Sequence, residues 1–308
     1  MSKIPTLLQQ FRSFCFQNKT TNLEEAIEYF SVFGGMGWRV DISKPLDELI
    51  EEKVLKNYRY IHADITEVTK SNPIDHKIMT ALALGDRREF SAIKKARVSK
   101  DEGENSIDFL IDNHLLVLDK SVELPVKDGD KVSNKVLFAQ PFLRFWFASI
   151  SPNYKGIKEG KYDEFRAKWN STKQGFSDLI YTQLVMELVK KSHQINFPED
   201  PIVNIGSYWD TEVNIDILAK TKSGKMIAGS CKHTKKKANK SELSKLKADV
   251  LKAELEVESF VLYSKNKFSQ ELKKEKGSDV QLFSMKSIGN LLEELSKDDL
   301  LVHTNKRY

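Results

Sequence analysis

One short alternating stretch constrains this chain more than any other: Glu212-Val213-Asn214-Ile215-Asp216-Ile217. Side chains of a strand point to opposite faces in turn, so Val213, Ile215 and Ile217 share an apolar face and Glu212, Asn214 and Asp216 share a polar one. Ser223-Gly224 then supplies a hairpin turn, and Lys225–Lys232 reads as the returning strand, with Ser230 and Lys232 on one face. Carboxylates on the polar face of a half-buried strand must be solvated, paired or bound to a cation. A Ser-Gly turn at 223–224 brings Asp216 toward Lys232. An acid and a lysine on neighbouring strands can surround a hydrated divalent ion, the acid holding Mg²⁺ and the lysine helping to deprotonate a water.

Around this hairpin the periodicity predicts a long helix over 175–193, strands at 202–208, 212–220 and 225–232, a helix over 241–254, strands at 258–264 and 280–284, and a closing helix at 288–295. That order, with a mixed sheet flanked by helices, is an α/β domain covering 173–308. Residues 153–172 are charged and read as a linker. Residues 71–152 have another rhythm. Pro73 opens a helix ending near Gly85, short helices follow at 89–96 and 105–113, and extended pieces at 115–124 and 135–139 flank Asp128-Gly129-Asp130. Helix, helix, helix, hairpin is the layout of a winged helix. Four aromatics in Phe142-Leu143-Arg144-Phe145-Trp146-Phe147 indicate a buried helix docking one domain onto another. Residues 1–70 read as helical, with Phe33-Gly34-Gly35-Met36-Gly37-Trp38 as a tight turn. No Gly-Lys-Ser/Thr follows those glycines, so ATP hydrolysis by a P-loop is not expected.

The 308 residues carry a net charge of +5, which hides a local excess. Between Lys220 and Lys252 stand eleven lysines against Glu242 and Asp249 alone. The core of that excess is Lys235, Lys236, Lys237 and Lys240, immediately after the candidate strand. Lysines that neutralise phosphates give salt-dependent, largely sequence-blind affinity, so nucleic acid, and DNA in particular, is the expected partner. Lys94, Lys95 and Arg97 could reach a phosphate backbone from the winged-helix region. The two cysteines, Cys15 and Cys231, fit neither a zinc site nor a disulfide framework. No run approaches the ~18 apolar residues of a membrane span, no signal core follows Met1, and a cytoplasmic location without a membrane partner is expected.

An aspartate ending a strand, a hairpin, and a lysine on the next strand resemble the PD-(D/E)XK nuclease superfamily. The flanking words sharpen the likeness. Glu212–Ala219 and Gly229-Ser230-Cys231-Lys232 resemble the C-terminal domain, DUF234, of the archaeal-type ATPases. Phe33-Gly34-Gly35 resembles the end of that family's ATPase module, while His76–Gly85 and Phe142–Phe147 with Pro152-Asn153 resemble its winged helix and the segment after it. The P-loop half is not among the residues present. The resemblance implies an N-terminal helical segment, a winged helix-turn-helix and a PD-(D/E)XK-like αβββαβ domain. It assigns metal binding to Asp216 and catalysis to Lys232, with Asp178 or Glu187 as a first-helix acid. Ser230 departs from the pattern, which has a glutamate there. Glu242, Asp249 or Glu212 would have to restore the charge, Glu212 and Glu242 serving as further metal ligands. Three functions follow: a Mg²⁺-dependent endonuclease, with Mn²⁺ as substitute; a catalytically degenerate DNA-binding or regulatory protein; or an interaction module for a separate ATPase as protein partner.

Overall fold

The computed structural model describes residues 5–119, 134–234 and 236–301. The described residues divide into two compact units: 5–118 with 134–177 and 295–301, and 178–294.

The first unit is mainly helical. Helices α1 (Leu7–Asn18), α2 (Leu23–Phe33), α3 (Leu46–Ile50) and α4 (Tyr58–Val68) precede α5 (Pro73–Leu84), α6 (Glu89–Ala96) and α7 (Lys100–Asp112). Strands β1 (Leu116–Asp119) and β2 (Lys135–Phe138) form a two-stranded sheet; α8 (Pro141–Phe145), α9 (Tyr154–Lys158) and α10 (Asp163–Thr172) complete the unit. Local chemistry sets the ends. Asn72 accepts the Ile74 amide with Pro73 in the first turn of α5, and Ser99 with Glu102 makes a capping box for α7. That box starts α7 well before the Asn105 expected from apolar periodicity. Helices α6 and α7 approach closely because Gly103 has no Cβ; one built there would lie 2.5 Å from Ile93 Cγ1. Asp75 of α5 is buried and accepts the Ser106 hydroxyl of α7 at 2.6 Å. The Asp128–Asp130 turn lies outside the described residues.

The aromatic run is buried within this unit. Phe142, Phe145, Trp146 and Phe147 are all shielded from solvent. Trp146 stacks on Tyr58 with centroids 5.6 Å apart, and Phe145 meets Trp169 edge-on at 5.2 Å. The stretch expected as a linker, 153–172, is helical, because Phe165 and Trp169 are spaced one turn apart and both are buried. The stretch 295–301 also belongs to this unit: Arg12 holds Asp299 at 2.5 Å, and the Leu301 amide donates to Ser13.

The second unit is built on a five-stranded sheet in the order β3 (Ile202–Trp209), β4 (Asn214–Thr221), β5 (Met226–Lys232), β6 (Ser259–Ser264), β7 (Val280–Ser284). The first three strands are antiparallel; β5, β6 and β7 are parallel. Helices α11 (Asp178–Asn196), α12 (Lys240–Lys252) and α13 (Gln270–Lys274) accompany it in chain order, before a short closing helix. On one face Tyr181 of α11 stacks near Tyr263 of β6. On the other, Leu243, Leu246 and Val250 of α12 form a core with Leu218, Ala228, Leu262 and Val280. The fold is therefore mixed α/β. The closing helix expected at 288–295 is instead α14 (Met285–Ile288) and a 3₁₀ turn at Gly289–Leu292, since Ser284 and Ser287 cap the chain earlier. No helix among the described residues is long and apolar enough to cross a membrane.

Candidate nucleic-acid interface

The β4–β5 ladder ends at Ile217 and Gly229. One step further, the Cys231 amide donates not to a β4 carbonyl but to Asp216 Oδ2, at 2.8 Å. The Ser230 hydroxyl donates to the same oxygen at 3.4 Å. The Asp216 side chain thus fills the opening where the two strands part. Lys232, next but one to Ser230 and on its face, donates from Nζ to Glu242 in the first turn of α12. Its side chain is 21% exposed and that of Glu242 32%, so the pair is within reach of solvent. Glu242, proposed from sequence as the acid from the following helix, is the residue the fold brings to Lys232.

The other sequence candidates are distributed differently. Glu212 pairs at 3.1 Å with Lys252 at the far end of α12. Glu187 pairs with Lys190 one turn away on α11. Among the described residues no group of three or more His, Cys, Asp or Glu is placed to hold a metal ion. As arranged, Glu212 and Glu242 neutralise lysines, and Asp216 accepts an amide and a hydroxyl.

The lysines fall along the ends of the parallel strands. Lys236, Lys237 and Lys240 are exposed, and Lys235 lies outside the described residues. Lys240 is paired with Glu275 at 2.7 Å. The loop after β5 runs beside the loop after β6: the Lys265 amide donates to the Lys232 carbonyl, the Ala238 amide to the Lys267 carbonyl, and the Ser269 amide to the Ala238 carbonyl. Lys265 and exposed Lys267 therefore join the same edge. Sequence reading missed them because they stand about 30 residues downstream; only parallel pairing makes the loops neighbours. In the first unit, Lys94, Lys95 and Arg97 lie at the end of α6.

Behind the edge, His233 is flanked by Tyr181 and Tyr263, with ring centroids 6.0 and 6.1 Å away. Burial, and then the Lys265 charge, lower its pKa to about 4, so the ring is neutral at ordinary pH. At Cys231, burial, and then the Asp216 carboxylate, raise the thiol pKa, which makes it a poor nucleophile.

Fold and strand end together define a mixed α/β protein with a cationic edge. Residues 146–244 match the family model DUF234, described as archaea bacterial proteins of unknown function. The matched stretch contains Asp216, Ser230, Lys232 and Glu242 and stops before Lys265 and Lys267. No curated protein and no solved structure matches the chain.

Proposed function

We propose that this is a DNA-binding protein that engages the phosphate backbone along the lysine-rich edge of its sheet unit. The observation that carries this reading is the hydrogen-bonded pair of loops after β5 and β6, which gathers Lys236, Lys237, Lys265 and Lys267 beside Lys232. The ends of parallel strands are where open α/β sheets bind ligands, and a run of cations there suits a polyanion. The element orders α11-β3-β4-β5-α12-β6 and α5-α6-α7-β1-β2 are compatible with the PD-(D/E)XK-like and winged-helix layouts expected from sequence, which supports the nucleic-acid reading. Fluorescence anisotropy with a labelled duplex and a labelled single strand, across a salt series, tests it. Affinity should fall linearly in log–log terms, with a slope of about −0.9 per phosphate neutralised on duplex. Absence of binding at every salt concentration overturns it.

A second reading, phosphodiester hydrolysis, is favoured by one observation: Asp216 bonded to Ser230 and Cys231, and Lys232 bonded to Glu242, lie at the same end of β5. In the resting arrangement Lys232 holds Glu242, and Asp216 accepts an amide and a hydroxyl. Supercoiled plasmid incubated with Mg²⁺ or Mn²⁺, with wild type and Lys232→Ala, separates the readings. Nicking that Lys232→Ala abolishes establishes the nuclease; nicking that survives it belongs to something other than this site; binding without nicking leaves a binding scaffold.

A further inference from the structure

Strands β5, β6 and β7 are parallel and in register, so Lys232, Ser264 and Ser284 stand side by side. Alternation along β6 fixes where Ser264 points. Phe260 and Leu262 belong to the α12 face, and Tyr263 to the face of α11. Ser264 therefore projects toward α12, next to Lys232. It is completely buried, and its Oγ has no hydrogen-bond partner. Buried hydroxyls are nearly always satisfied, and an orphan needs an explanation. The adjoining first turn of α12 follows Asn239, which makes no side-chain cap bond. A helix N-terminus left this way favours an anion. The anion now present on Lys232 is the carboxylate of Glu242.

We propose that Glu242 is a resident stand-in for a phosphate group of the bound nucleic acid. On binding, the phosphate displaces the carboxylate from Lys232, and Ser264 donates its hydroxyl to a phosphate oxygen beside the first turn of α12. The partial exposure of Glu242 gives it room to swing outward. This deepens the nucleic-acid reading and rests on it, and it assigns a binding role to Ser264, which no charge pattern reveals.

The test compares the full chain with Glu242→Gln, Ser264→Ala, the double variant, and Glu275→Gln. The last removes the partner of Lys240 on the same edge and so controls for charge alone. Two probes are used separately: inorganic phosphate, read by thermal shift and calorimetry, and a labelled oligonucleotide, read by anisotropy. Glu242→Gln should bind both roughly tenfold more tightly, because a charge-assisted contact to Lys232 no longer has a competitor. Ser264→Ala should remove roughly three- to tenfold of affinity in either background, the worth of one hydrogen bond. It should not lower the melting temperature, since the lost hydroxyl has no partner in the free protein. The seat is overturned if Glu275→Gln gains as much as Glu242→Gln, or if Ser264→Ala, still folded, leaves the affinity for both probes unchanged in both backgrounds. Failure of the two ideas is distinguishable. Phosphate bound by Glu242→Gln while no form binds oligonucleotide sinks the wider reading and leaves the seat. Salt-dependent oligonucleotide binding without the Glu242→Gln gain sinks the seat and leaves the wider reading.

Discussion

The two units place their unusual residues in opposite positions. In the helical unit the rings are inside: Trp146 stacks on Tyr58, Phe145 and Phe176 meet Trp169 edge-on, and Phe11 meets Phe30. Its third helix in the α5–α7 group, α7, shows solvent five acids (Asp101, Glu102, Glu104, Asp108 and Asp112) against Lys100. In the sheet unit the α12-side core is largely aliphatic and the distinctive residues are lysines on two adjoining loops. Sequence offered both regions as contacts for nucleic acid. Layout alone does not choose between them, but Coulomb's law does: a face of five carboxylates repels a phosphate backbone, and a lysine edge attracts it. The difference teaches that the order of elements alone does not make a surface suited to nucleic acid; the side chains it exposes do.

The largest effect expected is inside the helical unit. Trp146→Ala should cost about 3–5 kcal/mol in denaturant unfolding, and Trp146→Phe, which keeps a ring, much less; equal losses would show that ring packing is not what holds this core. Next comes the division of labour between units. Replacing Lys236, Lys237 and Lys267 together by Ala should weaken duplex binding roughly 10- to 100-fold at low salt and flatten the salt slope by about 2–3. Lys94, Lys95 and Arg97 replaced together should matter less, and an equal loss would move the interface into both units. A third expectation concerns acid. His233 has a folded pKa of about 4 against an ordinary value of 6.5, so the unfolded chain takes up a proton first as pH falls. Its stabilising contribution is complete above pH 6.5 and is lost as pH falls from there to about 4, with a loss on the order of 2–3 kcal/mol. Chemical denaturation at stepped pH should show this decline, and His233→Gln should reduce it. The smallest effect is on α7. Neutralising Asp101, Glu104 and Asp108 to Asn, Gln and Asn should change duplex affinity by less than about twofold, the range of remote screened charges. A large gain would place α7 against the nucleic acid and break the contrast.

Much of this architecture was legible in the residues. The Ser-Gly turn and its apolar flanks locate the β4–β5 hairpin, and helical spacing locates α11 and α12, because these signals are local. The strict alternation expected over 212–217 does not hold: the register shifts between Ile215 and Leu218 and puts Val213 and Ile215 in one core with Leu218, not with Ile217. The α7 start was also legible, in Ser99-Lys100-Asp101-Glu102, but apolar spacing drew the boundary later. The helix over 163–172 was masked by its charges, although Phe165 and Trp169 lie at i and i+4. What could not be read depends on contacts far apart in sequence. That Asp216 takes the Cys231 amide follows from the strands parting after Ile217 and Gly229. That Glu212 goes to Lys252 depends on where α12 ends relative to β4. The share of Lys265 and Lys267 in the edge depends on the parallel pairing of β5 with β6.

At the opposite tip of the β4–β5 hairpin, Asp200 grips the turn: its carboxylate accepts the Ser223 amide and hydroxyl, each at 2.7 Å. A slip of one residue between strands would invert every side chain beyond it, carrying Lys232 away from Glu242 and Asp216 out of its gap. The clamp acts roughly 20 Å from that gap, at about 3.3 Å per residue. The alignment of the working end is thus secured at its anchor, and damage to Asp200 would be felt as misalignment at a place it never touches.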